Sequence, residues 1–169
     1  MPKRLTRLIC AIFTPVTLLL ASDVLAVDPG QPAPSFSLPA ESSGNVSLAQ
    51  LKGKVVYLDF WASWCGPCRQ SFPWMNEMHA KYGAKGLVVV AVNVDANTAD
   101  AKKFLGETPA VFDVAYDAKG VTPKSFGIKG MPTSYLIDRT GKVISTHVGF
   151  NPSKKSEIEA ALKHALENE

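Results

Sequence analysis

Two continuous apolar runs dominate the hydrophobic pattern of the chain and predict strands that are buried on both faces. They are "KVVYLDFWA" at 54–62 and "GLVVVAVNVD" at 86–95. A run without polar alternation is typical of a strand that other elements cover on each side of the sheet. Residues 65–82, which follow the first run, predict a helix, and Pro73 is expected to kink it after its second turn.

Shorter alternating runs near the N-terminus predict a hairpin. They are "FSLPA" at 36–40 and "GNVSLAQL" at 44–51, and the turn-forming residues "ESSGN" separate them. Because consecutive short strands joined by a tight turn usually pair, we expect these two runs to lie side by side as a small hairpin.

The second half of the chain alternates strands and helices. The pattern predicts, in order, a helix at 98–107 capped by Thr98, a short strand at 112–117, a helical turn at 122–128, two strands within 133–148 joined at "DRTG", and a helix at 152–169. In the last helix Ile158, Leu162 and Leu166 recur every four residues and form one apolar face. The order of elements predicts an α/β fold with a mixed sheet flanked by helices.

The composition is that of one globular domain. The chain has 169 residues, of which 46% are hydrophobic and 20% are charged. The formal net charge is +3, but Lys3, Arg4 and Arg7 lie in the first residues, and the chain after Ala26 holds 15 Lys and Arg against 14 Asp and Glu. The chain after Ala26 is therefore nearly neutral, and the basic charge at its start argues for export of the protein rather than for binding to nucleic acid.

The first 26 residues predict a secretory signal peptide. A basic start precedes the apolar run "LICAIFTPVTLLLA" at 8–21, and Val24 and Ala26 suit cleavage after Ala26. An uncleaved inner-membrane anchor is the alternative, but the run is shorter than the ~20 residues of a spanning helix and Pro15 interrupts it. Lipid anchoring is not expected, because Cys10 lies inside the run rather than after it. We therefore expect a signal peptide at 1–26 and one domain at 27–169.

The cysteines predict redox chemistry. Cys10 is expected to leave with the signal peptide, so the mature chain keeps only Cys65 and Cys68, with Gly66 and Pro67 between them. A structural disulfide framework would need more cysteines along the chain, and so small a loop constrains the unfolded chain little. The pair is therefore predicted to do chemistry.

A metal site is the competing interpretation of the pair. A zinc site needs four ligands, usually from a second Cys pair or from two histidines at a set spacing. His79, His147 and His164 are isolated from one another in the sequence and are expected to be surface or packing residues. We therefore expect no metal and no cofactor.

The junction of a buried strand and a helix explains how the pair reacts. Cys65 is predicted to lie at the helix N-terminus, where unpaired N–H groups and the helix dipole favour the thiolate. Cys65 is thus the expected exposed nucleophile, and Cys68, one turn deeper, resolves the mixed disulfide. Gly66 is expected to allow a tight turn, and Pro67 lacks an N–H that the first helical turn would leave unpaired.

The segment "DFWASWCGPC" at 59–68 resembles the thioredoxin signature. Asp59 lies six residues before Cys65, where thioredoxins place a buried acid, and Pro73 lies eight residues after it, where they kink the active-site helix. "GMPTSYLID" resembles their cis-proline loop, which implies a cis bond between Met131 and Pro132. Family members hold substrate chain beside the thiols with the backbone of this loop.

From about Pro34 to its end, the chain resembles the exported TlpA/ResA branch of the thioredoxins. That branch adds an N-terminal hairpin and a strand–helix insertion, here at about 88–116. The resemblance implies a thioredoxin fold, a periplasmic location and a monomer. It also implies disulfide-containing exported proteins as substrates and a membrane thiol-electron carrier as the reductant.

The resemblance also implies roles for single residues. Asp59 is expected to be buried, with a raised pKa, and to pass protons to and from Cys68. Trp61 is expected to lie in the core, as are Phe72, Met75, Met78 and Tyr82. Met131 is either simple packing or an apolar lip over the disulfide. The candidate substrate-binding residues are Trp64, Gly66, Pro67, Met131 and Pro132.

Ser71 departs from the pattern of one specialised group. Many cytochrome-maturation members of the branch carry a glutamate three residues beyond the second cysteine, and that acid tunes the thiols. Ser71 stands at this position, and a serine cannot exchange protons near neutral pH. The chain therefore has the acid of general thioredoxins but lacks the acid of the cytochrome specialists, which favours a broader reductase over a dedicated apocytochrome c reductase.

These observations predict a periplasmic thiol-disulfide oxidoreductase that reduces protein disulfides, with apocytochrome c among the candidate substrates. A disulfide-forming oxidant that uses the same residues in reverse is the first alternative. A peroxiredoxin-like peroxidase is suggested by the related N-terminal hairpin, although the chain has no Pro-x-x-x-Thr-x-x-Cys motif. A metal-binding module is the remaining alternative.

Overall fold

The computed structural model describes residues 26–168. The strands are β1 (Ser37–Ala40), β2 (Gly44–Ser47), β3 (Val55–Trp61), β4 (Leu87–Asn93), β5 (Asp113–Tyr116), β6 (Thr133–Ile137) and β7 (Val143–Val148). The α-helices are α1 (Gly66–Tyr82), α2 (Thr98–Glu107), α3 (Val121–Ser125) and α4 (Lys155–Asn168). No helix among these described residues is long and apolar enough to cross a membrane. The predicted signal peptide, except for Ala26, lies outside the described residues.

The described strands form one mixed sheet in the order β2-β1-β5-β4-β3-β6-β7. β3 is parallel to β4, and β4 is parallel to β5. The N-terminal hairpin β1–β2 and the C-terminal hairpin β6–β7 extend the sheet with antiparallel pairs at either side. The predicted mixed sheet, both hairpins and the two buried strands are confirmed.

Alternate residues of β3 supply two separate cores, one on each face of the sheet. Val55, Tyr57 and Trp61 pack with apolar side chains of α1, α2 and α4. Val56, Leu58 and Phe60 point the other way and pack with the N-terminal hairpin and with a ring after α3. Because every residue of β3 is buried, its sequence shows a continuous apolar run instead of an alternating one.

Several predicted local details are wrong. Asn97, not Thr98, caps α2, since its Oδ1 accepts from the N–H of Ala99 at 3.1 Å. The run at 44–51 is a strand only to Ser47, after which Leu48–Leu51 forms a 3-10 turn.

The predicted apolar face of α4 is confirmed, with Ile158, Leu162 and Ala165 buried and Leu166 partly buried.

Candidate active site

The two cysteines lie where β3 leads into α1. Cys65 is the N-cap residue of α1, and its N–H donates to the carbonyl of Ala62 at 3.1 Å. The N–H of Cys68 in turn donates to Sγ of Cys65 at 3.3 Å. A sulfur in this position accepts one of the N–H groups that a helix start leaves unpaired, which stabilises a thiolate there. The predicted placement of Cys65 is therefore confirmed.

Cys65 and Cys68 form a disulfide in this structure. Cys68 is fully buried and Cys65 is 5% exposed. The prediction that Cys65 is exposed is wrong for this oxidised form, because its sulfur turns back toward Cys68 over the first turn of α1. Cys65 is still the more accessible of the two sulfur-bearing residues, as a first nucleophile requires.

The residues between the cysteines are exposed and begin the helix. Pro67 lies in the first turn of α1, as predicted. Gly66 is not needed for a tight turn, which corrects the expectation for this residue. It has a helical backbone, and a Cβ added there would meet no atom within 4 Å. Gly66 thus leaves open space beside Cys65, next to Trp64, which is 72% exposed.

Trp61 and Trp64 have opposite environments. Trp61 is fully buried and packs edge-on against Phe72, with ring centroids 4.7 Å apart, so its predicted place in the core is confirmed. The predicted core stripe of α1, which comprises Phe72, Met75, Met78 and Tyr82, is also buried. Trp64 instead lines a surface cleft with Arg69, whose guanidinium pairs with Glu107 at 3.2 Å.

The cis-proline loop is present. The peptide bond between Met131 and Pro132 is cis, as the resemblance implies. The carbonyl of Pro132 accepts from the N–H of Gly149 at 2.7 Å. Met131 is half-buried and packs against the core cluster that contains both cysteines. This contact is compatible both with simple packing and with a lip over the disulfide, so the role of Met131 stays a prediction.

Asp59 lies on β3 and is 2% exposed, so its predicted burial is confirmed. Its Oδ2 has no hydrogen-bond partner among residues 26–168. Burial raises the pKa of this carboxyl well above its usual range, because the ionised form loses its hydration without gaining a partner. A carboxyl group of this kind can bind and release a proton closer to neutral pH than an ordinary aspartate does.

Ser71 is buried beside the pair. Its Oγ donates to the carbonyl of Cys68 at 2.8 Å and the residue is 1% exposed. The side chain is thus tied to the backbone of α1 and supplies no titratable group. The chain therefore has the buried acid of general thioredoxins, Asp59, and has no acid at position 71.

Sequence reasoning missed Asp95, which holds the loop before Cys65. Both carboxylate oxygens of Asp95 accept from the N–H of Ser63, at 3.2 and 3.0 Å, and Oδ2 also accepts from Asn93 Nδ2 at 2.9 Å. The available signal was the polar "NVD" at the end of the second buried strand, since the carboxyl ends of parallel β3 and β4 lie at the same edge of the sheet.

Replacement of Asp95 by asparagine is expected to loosen this loop. An amide keeps one acceptor oxygen but places an NH₂ group against N–H donors, so the free energy of unfolding should fall by about 1–3 kcal/mol. We also expect slower disulfide reduction, because Asp95 no longer holds the loop that leads to Trp64 and Cys65. Asp117→Asn is the matched control, since Asp117 is similarly buried and accepts from the N–H of Thr122 at 2.6 Å, at the start of α3.

Denaturant unfolding and insulin reduction, measured on both variants, check this prediction. Asp117→Asn should lower stability without slowing the reaction, whereas Asp95→Asn should do both. Equal activity of the two variants at a temperature where both are folded contradicts a positioning role for Asp95.

The fold and the site together define a class of protein. A buried strand delivers a Cys-x-x-Cys pair to a helix N-terminus, a buried carboxyl lies on that strand, and a cis-proline loop packs nearby. This is the arrangement of a thiol-disulfide oxidoreductase with a thioredoxin fold.

The comparisons with known proteins agree with this class. The Redoxin family model matches residues 28–162, and the chain belongs to the Redoxin family. Thiol-disulfide oxidoreductase ResA of Bacillus thuringiensis subsp. konkukian (strain 97-27) is 37% identical over 134 residues, which cover 79% of this chain and 76% of the relative. Thioredoxin-like protein YneN of Bacillus subtilis (strain 168) is 36% identical over 136 residues, which cover 79% of either chain.

A solved structure gives the same result. The crystal structure of a thiol:disulfide interchange protein DsbE from Chlorobium tepidum is 61% identical in sequence, with a TM-score of 0.81 over 83% of this chain and 99% of that one. The thioredoxin fold, the resemblance to the TlpA/ResA branch and the activity of a thiol-disulfide oxidoreductase are thereby confirmed. Membership of this class implies protein substrates that contain disulfides.

Proposed function

We propose that this protein reduces the disulfides of exported proteins in the periplasm, as a monomer, after cleavage of its signal peptide behind Ala26. The main support is the position of Cys65 Sγ, which accepts from the N–H of Cys68 at 3.3 Å at the start of α1. In the reduced form the same N–H can stabilise the Cys65 thiolate, which makes the first attack.

The reaction has two exchange steps. The Cys65 thiolate attacks a substrate disulfide, so a mixed disulfide forms and one substrate sulfur leaves as a thiolate. The Cys68 thiol then loses its proton, and its sulfur attacks Cys65, which releases the second substrate sulfur and leaves Cys65–Cys68 oxidised. Two electrons pass to the substrate, and the two substrate thiolates take up protons.

We assign the proton transfer of the second step to Asp59. Cys68 is fully buried and cannot give its proton directly to bulk water, while Asp59 is buried on the strand that leads to the pair. Since burial raises the pKa of Asp59, this carboxyl can act as a proton acceptor for a thiol near neutral pH.

Exposed residues around Cys65 are the proposed substrate contacts. Trp64 supplies an exposed aromatic surface, Gly66 adds no side-chain bulk beside the sulfur, and Pro67 is exposed in the first turn of α1. Met131 and Pro132 lie in the cis-proline loop, whose backbone is proposed to hold the substrate chain. Because each turnover leaves Cys65 and Cys68 as a disulfide, a membrane thiol-electron carrier is proposed to reduce this disulfide again.

The substrates are proposed to be a broad set of exported proteins, with apocytochrome c as one member. Ser71 supports this breadth, because its Oγ is bound to the carbonyl of Cys68 and no glutamate adjoins the pair. The relatives named ResA and DsbE support the disulfide chemistry of the site and leave the substrate to experiment.

Replacement of Cys68 by serine in the periplasm tests this proposal. The first exchange step should proceed and the second should stop, so partners should accumulate as mixed disulfides on Cys65 that dithiothreitol releases. The Cys65→Ser, Cys68→Ser double variant is the matched control. The proposed reductase is wrong if the single variant captures no more protein than the control, and the proposed breadth is wrong if apocytochromes dominate the captured set.

The reduction potential of the pair separates the reductase from a disulfide-forming oxidant. We expect the potential, measured against glutathione or dithiothreitol buffers, to lie near that of reducing thioredoxins, at about −270 mV. A value near −120 mV together with a strongly acidic Cys65 would instead support the oxidant.

A further inference from the structure

A row of three polar residues crosses the sheet next to the active site. In the ladder between β3 and β6, Asp59 lies opposite Ser134, and in the ladder between β6 and β7, Ser134 lies opposite His147. Directly opposite residues of antiparallel strands have their Cβ atoms about 4.5–5.5 Å apart. The three side chains are therefore neighbours on one face of the sheet, the face that α1 and α4 cover.

Ser134, the middle residue of this row, has one hydroxyl hydrogen available for Asp59 at one end or His147 at the other. The hydroxyl of Tyr57 donates to Ser134 Oγ at 2.8 Å, so the hydrogen of the Ser134 hydroxyl is available to another acceptor. Asp59 Oδ2 and His147 Nδ1 are both buried and have no hydrogen-bond partner within the described part of the chain, so in this oxidised form neither atom is hydrogen-bonded to the Ser134 hydroxyl. Buried polar atoms are normally paired, which makes two such atoms on either side of one hydroxyl unusual.

The row runs from the interior to a cleft at the surface. Asp59 is 2% and Ser134 is 4% exposed, whereas His147 is half-buried. His147 lines a cleft of about 550 Å³ between β7 and the start of α4, together with Lys154 and Glu157. On the opposite side of Asp59 its neighbour in β4 is Ala91, which has no polar side chain. The polar connection from Asp59 along the sheet therefore leads toward β7.

We propose that Ser134 and His147 are positioning residues that form a path for protons between Asp59 and this cleft, an inference that rests on the proposed role of Asp59. After Asp59 has taken the proton of Cys68, rotation of the three side chains brings Asp59 Oδ2, the Ser134 hydroxyl and His147 Nδ1 within hydrogen-bond distance, and that proton passes to Ser134 Oγ while the hydrogen of Ser134 passes to Nδ1 of His147. His147 then releases a proton from Nε2 into the cleft, and exchange of protons with solvent restores the Nε2–H tautomer before the next turnover. Asp59 returns to its ionised form, and the released thiolate of the substrate takes up a proton from solvent.

The charges around the row suit this transfer. Burial lowers the pKa of His147, with Glu157 raising it and Lys154 lowering it further, so the ring is neutral near neutral pH and Nδ1 can accept a proton. Burial and the nearby Asp59 raise the pKa of Tyr57, against the opposite effect of its hydrogen bond with Ser134, so the Tyr57 hydroxyl stays protonated throughout the reaction.

The rate of the second exchange step, between pH 5 and 9, tests the path. Each reduced variant is mixed with a small aromatic disulfide, and release of the second thiol is followed by stopped flow. We expect His147→Gln and Ser134→Ala to slow this release about 3- to 10-fold, a fraction of the full effect of a general acid or base, and to change its pH profile. Formation of the mixed disulfide, measured in a Cys68→Ser background, should keep its rate.

Two further variants separate the path from a structural effect. Ser134→Thr retains the hydroxyl and should restore the rate, and His164→Gln, at an exposed histidine on α4, should match the parent protein. If Asp59→Asn is slow but His147→Gln and Ser134→Ala release the second thiol at the parent rate, the path is overturned while the role of Asp59 stands. If Asp59→Asn also keeps the parent rate, the proposed role of Asp59 is overturned and the path with it.

Discussion

Replacement of Cys65 by serine is expected to abolish the acceleration that this protein gives to the reduction of insulin by dithiothreitol. A serine hydroxyl stays protonated near neutral pH and cannot attack a disulfide, so catalysis should fall on the order of 10³-fold or more. The fold should survive, because Cys65 caps α1 at its first turn and serine is itself a good N-cap residue.

The Cys68→Ser variant is the matched control for this result. It removes one sulfur at the same site and also stops turnover, but it should still form a covalent adduct with a disulfide substrate, whereas Cys65→Ser should form none. Mass spectrometry after exposure to a small disulfide distinguishes the two. A Cys65→Ser protein that reduces insulin at the rate of the parent contradicts the assignment of Cys65 as the nucleophile.

Replacement of Asp59 by asparagine is expected to stabilise the oxidised protein at alkaline pH. The raised pKa means that the folded state holds a proton on Asp59 after the unfolded state has lost it. Stability of the parent protein therefore falls as the pH rises from the unfolded pKa to the folded pKa, and it stays lower above that window. The asparagine side chain carries no charge and avoids this loss, so the gain at pH 9 should be at least about 1–3 kcal/mol.

Guanidinium unfolding of the oxidised protein at pH 4, 7 and 9 measures this difference. The gain should be near zero at pH 4, where Asp59 is protonated in the folded state, and should grow with pH. The exposed Asp28 provides the control, since Asp28→Asn removes the same charge at the surface. An equal gain at all three pH values would show that the effect comes from packing and that the buried charge of Asp59 is not its cause.

The sequence alone predicted those parts of the fold and the site that depend on local pattern. The apolar runs at β3 and β4 could be recognised because each strand is covered on both faces, and the helix start at Cys65 could be recognised from the strand that precedes it and from Pro67. The cis bond before Pro132 came from the family resemblance, because nothing in the local sequence requires it.

Other features depend on contacts between distant segments and escaped the sequence. The cap of α2 was placed one residue late, since Asn97 and Thr98 are both suitable caps and only the backbone decides between them. Asp95 could not be connected with Ser63, because 32 residues separate them and the contact exists only when β3 and β4 lie side by side.

The sequence by itself determined the chemistry of this protein: two cysteines at the start of a helix, a carboxyl on a buried strand and a proline loop. The tertiary structure decided how that chemistry is connected to its surroundings. Strand register alone brings Ser134 beside Asp59 and His147 beside Ser134, and a shift of one residue would turn every side chain of a strand to the other face. Register arises from pairing between strands far apart in the chain, and for that reason no local pattern encodes it.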